Sequence, residues 1–138
     1  MNETDLILRL FIAGIFGALI GLERQKDGKP AGLRTHMLVS MGSALFTIIS
    51  FAVAEVLGNP TIDPTRIAAG VITGVGFLGA GAILQSKGEV HGLTTAASIW
   101  IVSAIGMAVG FGLHILAGST AVATVVILYV LEKVEKKI

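Results

Sequence analysis

The chain contains no cysteine, and this absence removes several chemistries at once. Disulfide bonds, thiolate zinc sites and cysteine nucleophiles are all excluded. Charge is scarce as well, since Asp, Glu, Lys and Arg together make up only 14% of the 138 residues. The formal net charge of +1 provides no global attraction for nucleic acid, so nucleic-acid binding is not expected.

Apolar residues and glycine dominate the chain instead. Hydrophobic residues make up 54% of it, 18 residues are glycine, and the mean hydropathy is +0.86, which lies outside the usual range of soluble domains. The first ten residues, MNETDLILRL, lack the basic segment and small-residue cleavage site of a secretory signal. The sequence therefore predicts one multi-pass integral membrane domain, in contact with the lipid bilayer, whose first apolar run is retained.

The apolar runs can be measured against a bilayer core of about 30 Å, which needs about 20 helical residues. The last run is too long for one crossing, and a break at Gly110-Phe111-Gly112 divides it into two halves of spanning length. We therefore predict an all-α bundle of five transmembrane helices in a single domain. The predicted spans cover residues 6–22, 35–57, 66–85, 93–110 and 113–131.

Lysine and arginine in the short loops predict the orientation of the bundle. If the chain alternates sides, one face receives most of the basic residues, and the other receives only Arg66, with Arg9 near a helix end. The basic face is expected to be cytoplasmic, so that the N-terminus lies outside and the C-terminus inside. The residues on this face are Arg24, Lys26, Lys29, Arg34, Lys87, Lys133, Lys136 and Lys137.

An internal repeat emerges when the sequence is shifted by 60 residues against itself. The shift pairs Gly32-Leu33 with Gly92-Leu93 and Thr35 with Thr95, so that helices one and two match helices three and four. Both pairs would cross the bilayer in the same directions, as in the parallel repeats of some transporters. Chance similarity between glycine-rich helices is the alternative reading.

Three pairs of glycines are spaced four residues apart: Gly17 with Gly21, Gly70 with Gly74, and Gly106 with Gly110. Small residues at this spacing allow helix backbones to approach closely in a membrane. Packing within one chain is the first interpretation, and a homo-oligomer interface is the second. Substitution of Gly74 or Gly79 by leucine is expected to disrupt folding.

Residues that could support catalysis or metal binding do not form a recognisable pattern in the sequence. No G-x-S-x-G motif links the serines to His36 or His114, so the protein is not expected to be an enzyme, and no cofactor is expected. Magnesium prefers convergent oxygen ligands, usually carboxylates. The acidic residues near the spans lie at their edges, so the sequence leaves the metal question open; they are Glu23, Glu55, Asp63 and Glu89.

The starts of the second and fourth predicted helices share one side of the membrane. Free N–H groups at these helix ends favour an anion or the carboxylates of Glu23 and Glu89, although ordinary capping is the simpler interpretation. Arg34 can grip a carboxylate in two places, which lysine cannot. Glu23 is its expected partner inside the protein.

Three ordered stretches, which together span about residues 10–117, closely resemble the MgtC/SapB family of bacterial inner-membrane proteins. They are GLERQKDGKPAGLRTHMLVSMGSALFT, DPTRIAAGVITGVGFLGAGAIL and GLTTAASIWIVSAIGMAVG. The resemblance implies the hydrophobic N-terminal domain of that family, with about five spans, in the bacterial inner membrane. The positions that it marks as functional candidates are Glu23, Arg24, Gly32, Leu33, Arg34, Thr35, His36, Asp63, Arg66, Gly76, Gly79, Gly81, Gly92, Thr94 and Thr95.

The resemblance also implies a role rather than a reaction. Members of the family are associated with growth at low Mg²⁺ and are thought to modulate other membrane proteins, such as ATP synthase. The expected function is therefore Mg²⁺-related homeostasis through contacts with membrane partners, and a small ion transporter or channel is the alternative. Many relatives carry a soluble domain after the last span, whereas this sequence ends in YVLEKVEKKI and is expected to lack it.

Overall fold

The computed structural model describes residues 2–58, 63, 65–86, 89–135 and 137, which form five α-helices and a short β-hairpin. The helices are α1 (Glu3–Lys26), α2 (Leu33–Leu57), α3 (Arg66–Gly81), α4 (Leu93–Gly110) and α5 (His114–Glu135). Strands β1 (Leu84–Ser86) and β2 (Glu89–His91) pair antiparallel, with Gln85 opposite Val90. The predicted all-α bundle of five helices is confirmed, and the hairpin is an addition to it.

Helix α1 begins and α2 ends with ordinary local signals. The side chain of Asn2 accepts a hydrogen bond from the N–H of Thr4 at 3.0 Å, which caps the first turn of α1. Helix α2 ends at Gly58, whose φ of 57° places it in the left-handed region that glycine adopts without strain. Between these signals the sequence is apolar enough for both helices to lie in a membrane.

Four helices within the described residues, α1, α2, α4 and α5, are long and apolar enough to cross a membrane. Helix α3 is shorter than its predicted span of 66–85, because it ends at Gly81 and residues 84–86 form a strand. Its 16 residues extend about 24 Å, less than the bilayer core of about 30 Å. The glycines near its end favour termination, because glycine is a poor helix former.

The break between α4 and α5 lies at the glycines where the sequence predicts it. Helix α4 ends at Gly110, and Gly112 has a φ of 86°, which lets the chain reverse before α5 begins at His114. Arg9 of α1 closes this corner, since its Nη1 donates to the carbonyl of Gly110 at 2.8 Å. A cation there also matches the negative end of the α4 dipole.

Contacts between helices define two ends of the bundle. Gly17 and Gly21 of α1 lie against His36 and Leu33 of α2, so these helices run antiparallel. We call the end where α1 and α5 finish and α2 and α4 start the basic end. The other is the opposite end, where α1 starts and α4 finishes. The predicted assignment of the basic end to the cytoplasm remains a prediction.

Helices α2 and α4 run parallel at the centre of the bundle and approach each other very closely. A Cβ atom at Gly106 of α4 would lie 2.1 Å from the carbonyl oxygen of Ser40 in α2. The same surface continues at Gly110, where a Cβ would lie 2.8 Å from the carbonyl of Ala44. These contacts lie beside the main hydrophobic core; its buried members are Ala13, Ile20, Ala44, Val102, Ile105, Val109, Ala117 and Ala121.

The glycines of α3 behave differently from those of α1 and α4. A Cβ at Gly74 would contact no described atom within 4 Å, and one at Gly79 would lie at an ordinary 3.6 Å from the Cβ of Ala96. The close helix packing on which the expectation for Gly74 rests is not seen among the described residues, because this glycine faces open space. The effect of leucine at this position stays a prediction. Gly74 lies in a groove between α2 and α3, together with Gly42 and Gly70.

The second helices of the two proposed repeats, α2 and α4, begin at equivalent positions, but the connections before them differ. Helices α2 and α4 begin at Leu33 and Leu93, which the shift of 60 residues pairs. Before α2 the chain forms a turn, with Gly28 at a φ of 65°, whereas β1 and β2 form a hairpin before α4. The parallel repeat stays a prediction.

Candidate functional site

A buried guanidinium lies at the centre of a charge cluster at the basic end. Arg24, in the last turn of α1, is only 2% exposed. Its Nε donates to Oε2 of the neighbouring Glu23, and its Nη2 donates to Oε1 at 2.6 Å. This two-point grip on one carboxylate uses the planar fork of arginine, which lysine lacks.

Two further carboxylates surround the same guanidinium. Nη2 of Arg24 lies 3.9 Å from Oδ2 of Asp27 and 3.7 Å from Oε2 of Glu132 in α5. Nζ of Lys29 also reaches Glu132, at 3.2 Å from Oε1. The cluster therefore joins the loop after α1 to the last turns of α5, and its five charges are two positive and three negative.

The three carboxylates have the spacing of a metal site, because one oxygen from each of Glu23, Asp27 and Glu132 lies within 4.8 Å of the others. However, Nη2 of Arg24 is within 4 Å of all three. The guanidinium thus takes the position that a cation would need, and it supplies the positive charge that the carboxylates require. The geometry fits an internal ion-pair network better than a Mg²⁺ site.

Helices α2 and α4 are linked near this cluster by a fully buried histidine. Nδ1 of His36 lies 2.9 Å from the carbonyl of Gly32, and Nε2 lies 2.9 Å from Oγ of Ser98. Because a carbonyl only accepts, Nδ1 carries the proton. The Ser98 hydroxyl lies between Nε2 and the carbonyl of Thr95, which is 2.8 Å from Oγ, and its single proton can be donated to one of these two acceptors at a time.

This pairing is a serine–histidine contact that the sequence pattern did not indicate. His36 is 0% exposed and Ser98 is 2% exposed, so the surrounding helices close the pair to a substrate. The arrangement therefore fits an interhelical hydrogen bond rather than a nucleophile and its base.

The start of α2 corrects one predicted contact. The carboxylate of Glu23 is held by Arg24, whereas the expected partner, Arg34, is exposed and forms no ion pair with a described residue. Thr35 is exposed as well. The first N–H of α2 is satisfied by Gln25, whose Oε1 accepts from Leu33 at 3.1 Å. Arg34 and Thr35 thus lie on the exposed surface and take no part in the described ion pairs of the cluster.

The start of α4 depends on a glycine with special geometry. Gly92 has a φ of 89°, and a Cβ at this position would lie 2.0 Å from the carbonyl of Ala82. Only glycine fits such a contact, which brings the end of α3 next to the start of α4. Thr95 is buried and Thr94 is exposed, and Glu89 pairs with His91 at 3.5 Å instead of approaching the helix end.

Two predicted residues lie at the opposite end, away from the cluster. Asp63 accepts from the N–H and hydroxyl of Thr65 at 2.8 and 2.7 Å, and it lies just before Arg66, the first residue of α3. The hydroxyl bond and then the backbone bond hold the pKa of Asp63 below its usual range. Both residues are exposed, so they organise the start of α3 and take no part in the cluster.

The family-typical positions therefore separate into groups. The structure brings together Glu23 and Arg24, with His36 and Gly32 forming a second contact nearby, and Gly92 and Thr95 bordering the same end. Gly76 and Gly81 contact no described atom within 4 Å of an added Cβ. Asp27, Lys29 and Glu132 complete the charge cluster and were not among the predicted positions.

Comparisons with known proteins agree on one family. The family model described as "MgtC family" matches residues 10–137. "Putative magnesium transporter YhiD" of Escherichia coli (strain K12) is 51% identical over 130 residues, which are 92% of this chain and 60% of that protein. "Protein MgtC" of Brucella abortus (strain 2308) is 46% identical over 121 residues, which are 86% and 48% of the two chains.

A third relative is similar over a comparable part of the chain. "Protein SapB" of Bacillus subtilis (strain 168) is 40% identical over 116 residues, which are 81% of this chain and half of that protein. No solved structure matches the chain. The chain spans about half to three fifths of the length of these curated relatives. Because the family model covers nearly all of its residues, the chain belongs to the MgtC family.

Proposed function

We propose that this protein acts without catalysis in Mg²⁺-related homeostasis of the bacterial inner membrane, by binding a transmembrane helix of another membrane protein. The observation that carries the proposal is the groove between α2 and α3. It has a volume of about 560 Å³, and its walls include Leu38, Phe46, Ile67 and Leu78. An added Cβ at each of its three glycines would meet no described atom within 4 Å; they are Gly42, Gly70 and Gly74.

A single polar side chain in this apolar groove favours a protein helix over a lipid chain as the occupant. Ser43 lines the groove and is 3% exposed, and its hydroxyl forms no hydrogen bond with a described residue. A hydroxyl that faces an apolar groove without a hydrogen-bond partner is unfavourable, because it has lost contact with water and gained nothing in exchange. A helix with small or polar residues offers a hydrogen-bonding group and close backbone contact, whereas an acyl chain offers neither.

The connection with magnesium comes from the relatives. One is named a putative magnesium transporter, and another is named MgtC. Family resemblance also makes ATP synthase a partner to test first, and a second copy of this chain is an alternative occupant of the groove. The bilayer supplies the surroundings in which such a contact forms.

Transport of Mg²⁺ is the alternative function, and the name of the YhiD relative is the observation that favours it. Two features of the described residues weigh against it. Arg24 fills the cation position among the carboxylates, and the α2–α4 contact at Gly106 is too close to admit an ion. Binding of a partner helix requires neither a polar path for an ion through the bundle nor a free acidic site.

Purified protein in liposomes separates the two functions. A Mg²⁺-sensitive dye inside the vesicles reports entry after Mg²⁺ is added outside, and empty vesicles serve as the control. We expect the same entry rate with and without protein, in preparations shown by circular dichroism to be folded. Entry that rises with the amount of protein would establish transport and overturn the proposal.

A further inference from the structure

A second cavity, separate from the groove, opens at the basic end between the start of α4 and the last turns of α5. Its volume is about 670 Å³. Arg24 and Lys29 lie on one side, Glu132 and Glu135 lie near the end of α5, and Ile127 and Leu131 form an apolar wall. Such a cavity combines charges of both signs with an apolar surface next to the membrane.

The buried arginine presents an unused donor group in this cavity. Nε and Nη2 of Arg24 donate to Glu23, while Nη1 donates to no described residue, although the side chain is only 2% exposed. Arginine carries five N–H donors, and the two on Nη1 are not taken up by Glu23. Arg24 lines the cavity, so its free amino group is available to a ligand there.

The start of α4 adds donors on the other side of the same cavity. Gly92 provides no side-chain cap, and the N–H groups of Leu93 and Thr94 bond to no described residue. Free N–H groups at a helix start, together with the positive end of the dipole, favour a phosphate group. Leu93 and Thr94 both line the cavity.

The charges of the cluster decide which kind of phosphate ligand fits. Arg24 is already paired with Glu23 and Lys29 with Glu132, so neither cation is free to compensate a ligand with a net negative charge. Glu135, which also lines the cavity, forms no ion pair with a described residue. A ligand that carries an amine beside its phosphate would pair with this carboxylate and remain neutral overall.

We propose that the cavity binds a zwitterionic phosphate ester of the phosphoethanolamine class. Its phosphate accepts hydrogen bonds from Nη1 of Arg24 and from the first N–H groups of α4, and its ammonium pairs with Glu135. The ligand is either a phospholipid headgroup or a free phosphate ester. The apolar wall at Ile127 and Leu131 suits the chains of a lipid, and this binding is independent of partner contact in the groove.

Thermal unfolding of the delipidated full chain in detergent tests the proposal. Phosphatidylethanolamine, phosphatidylglycerol and soluble phosphoethanolamine are added separately, since a ligand that binds the folded state raises the Tm. We expect phosphatidylethanolamine to raise the Tm by several degrees more than phosphatidylglycerol does. A rise with soluble phosphoethanolamine as large as that with the lipid identifies the free ester as the source, and a smaller one identifies the lipid.

Substitution of Glu135 provides the decisive variant, because this exposed residue is not required by the ion-pair network. Glu135→Gln should have the same Tm as the wild type without lipid, and it should lose the preference for phosphatidylethanolamine over phosphatidylglycerol. Glu3→Gln, an exposed substitution at the opposite end, is the matched control and should keep the preference. Equal Tm rises with both lipids in the wild type, or an unchanged preference in Glu135→Gln, would overturn the proposal.

Discussion

Nη2 of Arg24 lies 3.7 Å from Oε2 of Glu132, so a residue at the end of α1 is held against the last turns of α5. Glu132 sits near a helix C-terminus, where the dipole disfavours a carboxylate. The cations Arg24 and Lys29 offset this cost. The contact therefore fixes a helix that is otherwise among the least buried in the bundle.

Removal of the buried guanidinium should be strongly destabilising. Arg24→Gln leaves Glu23 without its two-point partner, and loss of one member of a buried pair costs about 3–5 kcal/mol. Arg24→Lys should be intermediate, because it retains the charge without the fork. Lys26→Gln, an exposed change in the same turn, is the control. Thermal unfolding in detergent measures the difference, and equal Tm values for Arg24→Gln and Lys26→Gln would contradict it.

The glycines fall into two classes that substitution should separate. Gly106→Ala would place a Cβ 2.1 Å from the carbonyl oxygen of Ser40, so α2 and α4 must move apart. We expect the free energy of unfolding to fall by about 1–3 kcal/mol. Gly70→Ala meets open space and should leave the Tm unchanged or slightly higher, since alanine favours helix. Folded yield and Tm report both effects, and tolerance of Gly106→Ala would show that the helices are not in close contact.

The hydrogen bond between His36 and Ser98 should appear as a coupling energy. In a double-mutant cycle with His36→Phe and Ser98→Ala we expect about 1 kcal/mol, since interhelical hydrogen bonds in membranes average about 0.6 and reach about 1.7 kcal/mol. Ser103→Ala is the control, because the Ser103 hydroxyl bonds to Trp100 of its own helix. Unfolding in mixed micelles gives the energies, and equal coupling for both serines would refute the contact.

The orientation of the bundle can be tested with single cysteines in this cysteine-free chain. Asp63 lies at the opposite end and Lys26 at the basic end, and both are exposed. Asp63→Cys should react with a membrane-impermeant maleimide in intact cells. Lys26→Cys should react only after the cells are made permeable. The reverse pattern would place the basic end outside and overturn the charge-based assignment.

Local signals in the sequence are sufficient for most of the helix architecture. Apolar run lengths give the number of helices, and Gly110 to Gly112 marks the reversal between α4 and α5. The end of α3 could not be predicted in the same way, since Ile83 continues an apolar run. The glycines of α3 favour an end in this region, but the exact position coincides with the close approach of Gly92 to the carbonyl of Ala82, a contact that local sequence does not encode.

The candidate site was predictable only in part. Family-typical residues identified Glu23 and Arg24, but their partner Glu132 lies more than a hundred positions away, and the helix packing alone brings it near. The sequence did contain one signal for Glu132. An acidic residue in the last turns of a helix is unfavourable unless a cation compensates its charge, so Glu132 could be expected to have a cationic partner. No sequence signal indicated that Gly74 lines an open groove, since the spacing of the glycines is the same in a packed helix interface and in an empty groove.

The groove between α2 and α3 is tested most directly by growth of a deletion strain at low Mg²⁺ that carries Gly74→Leu. Leucine at this position would occupy the groove, and its Cβ would meet no described atom within 4 Å. Gly76→Leu is the matched control, because a Cβ at Gly76 also meets no described atom within 4 Å, but Gly76 does not line the groove. Both variants should insert and fold like the wild type, as judged by membrane yield and Tm. We predict that Gly76→Leu restores growth and Gly74→Leu does not; full growth with folded Gly74→Leu would contradict partner binding in this groove.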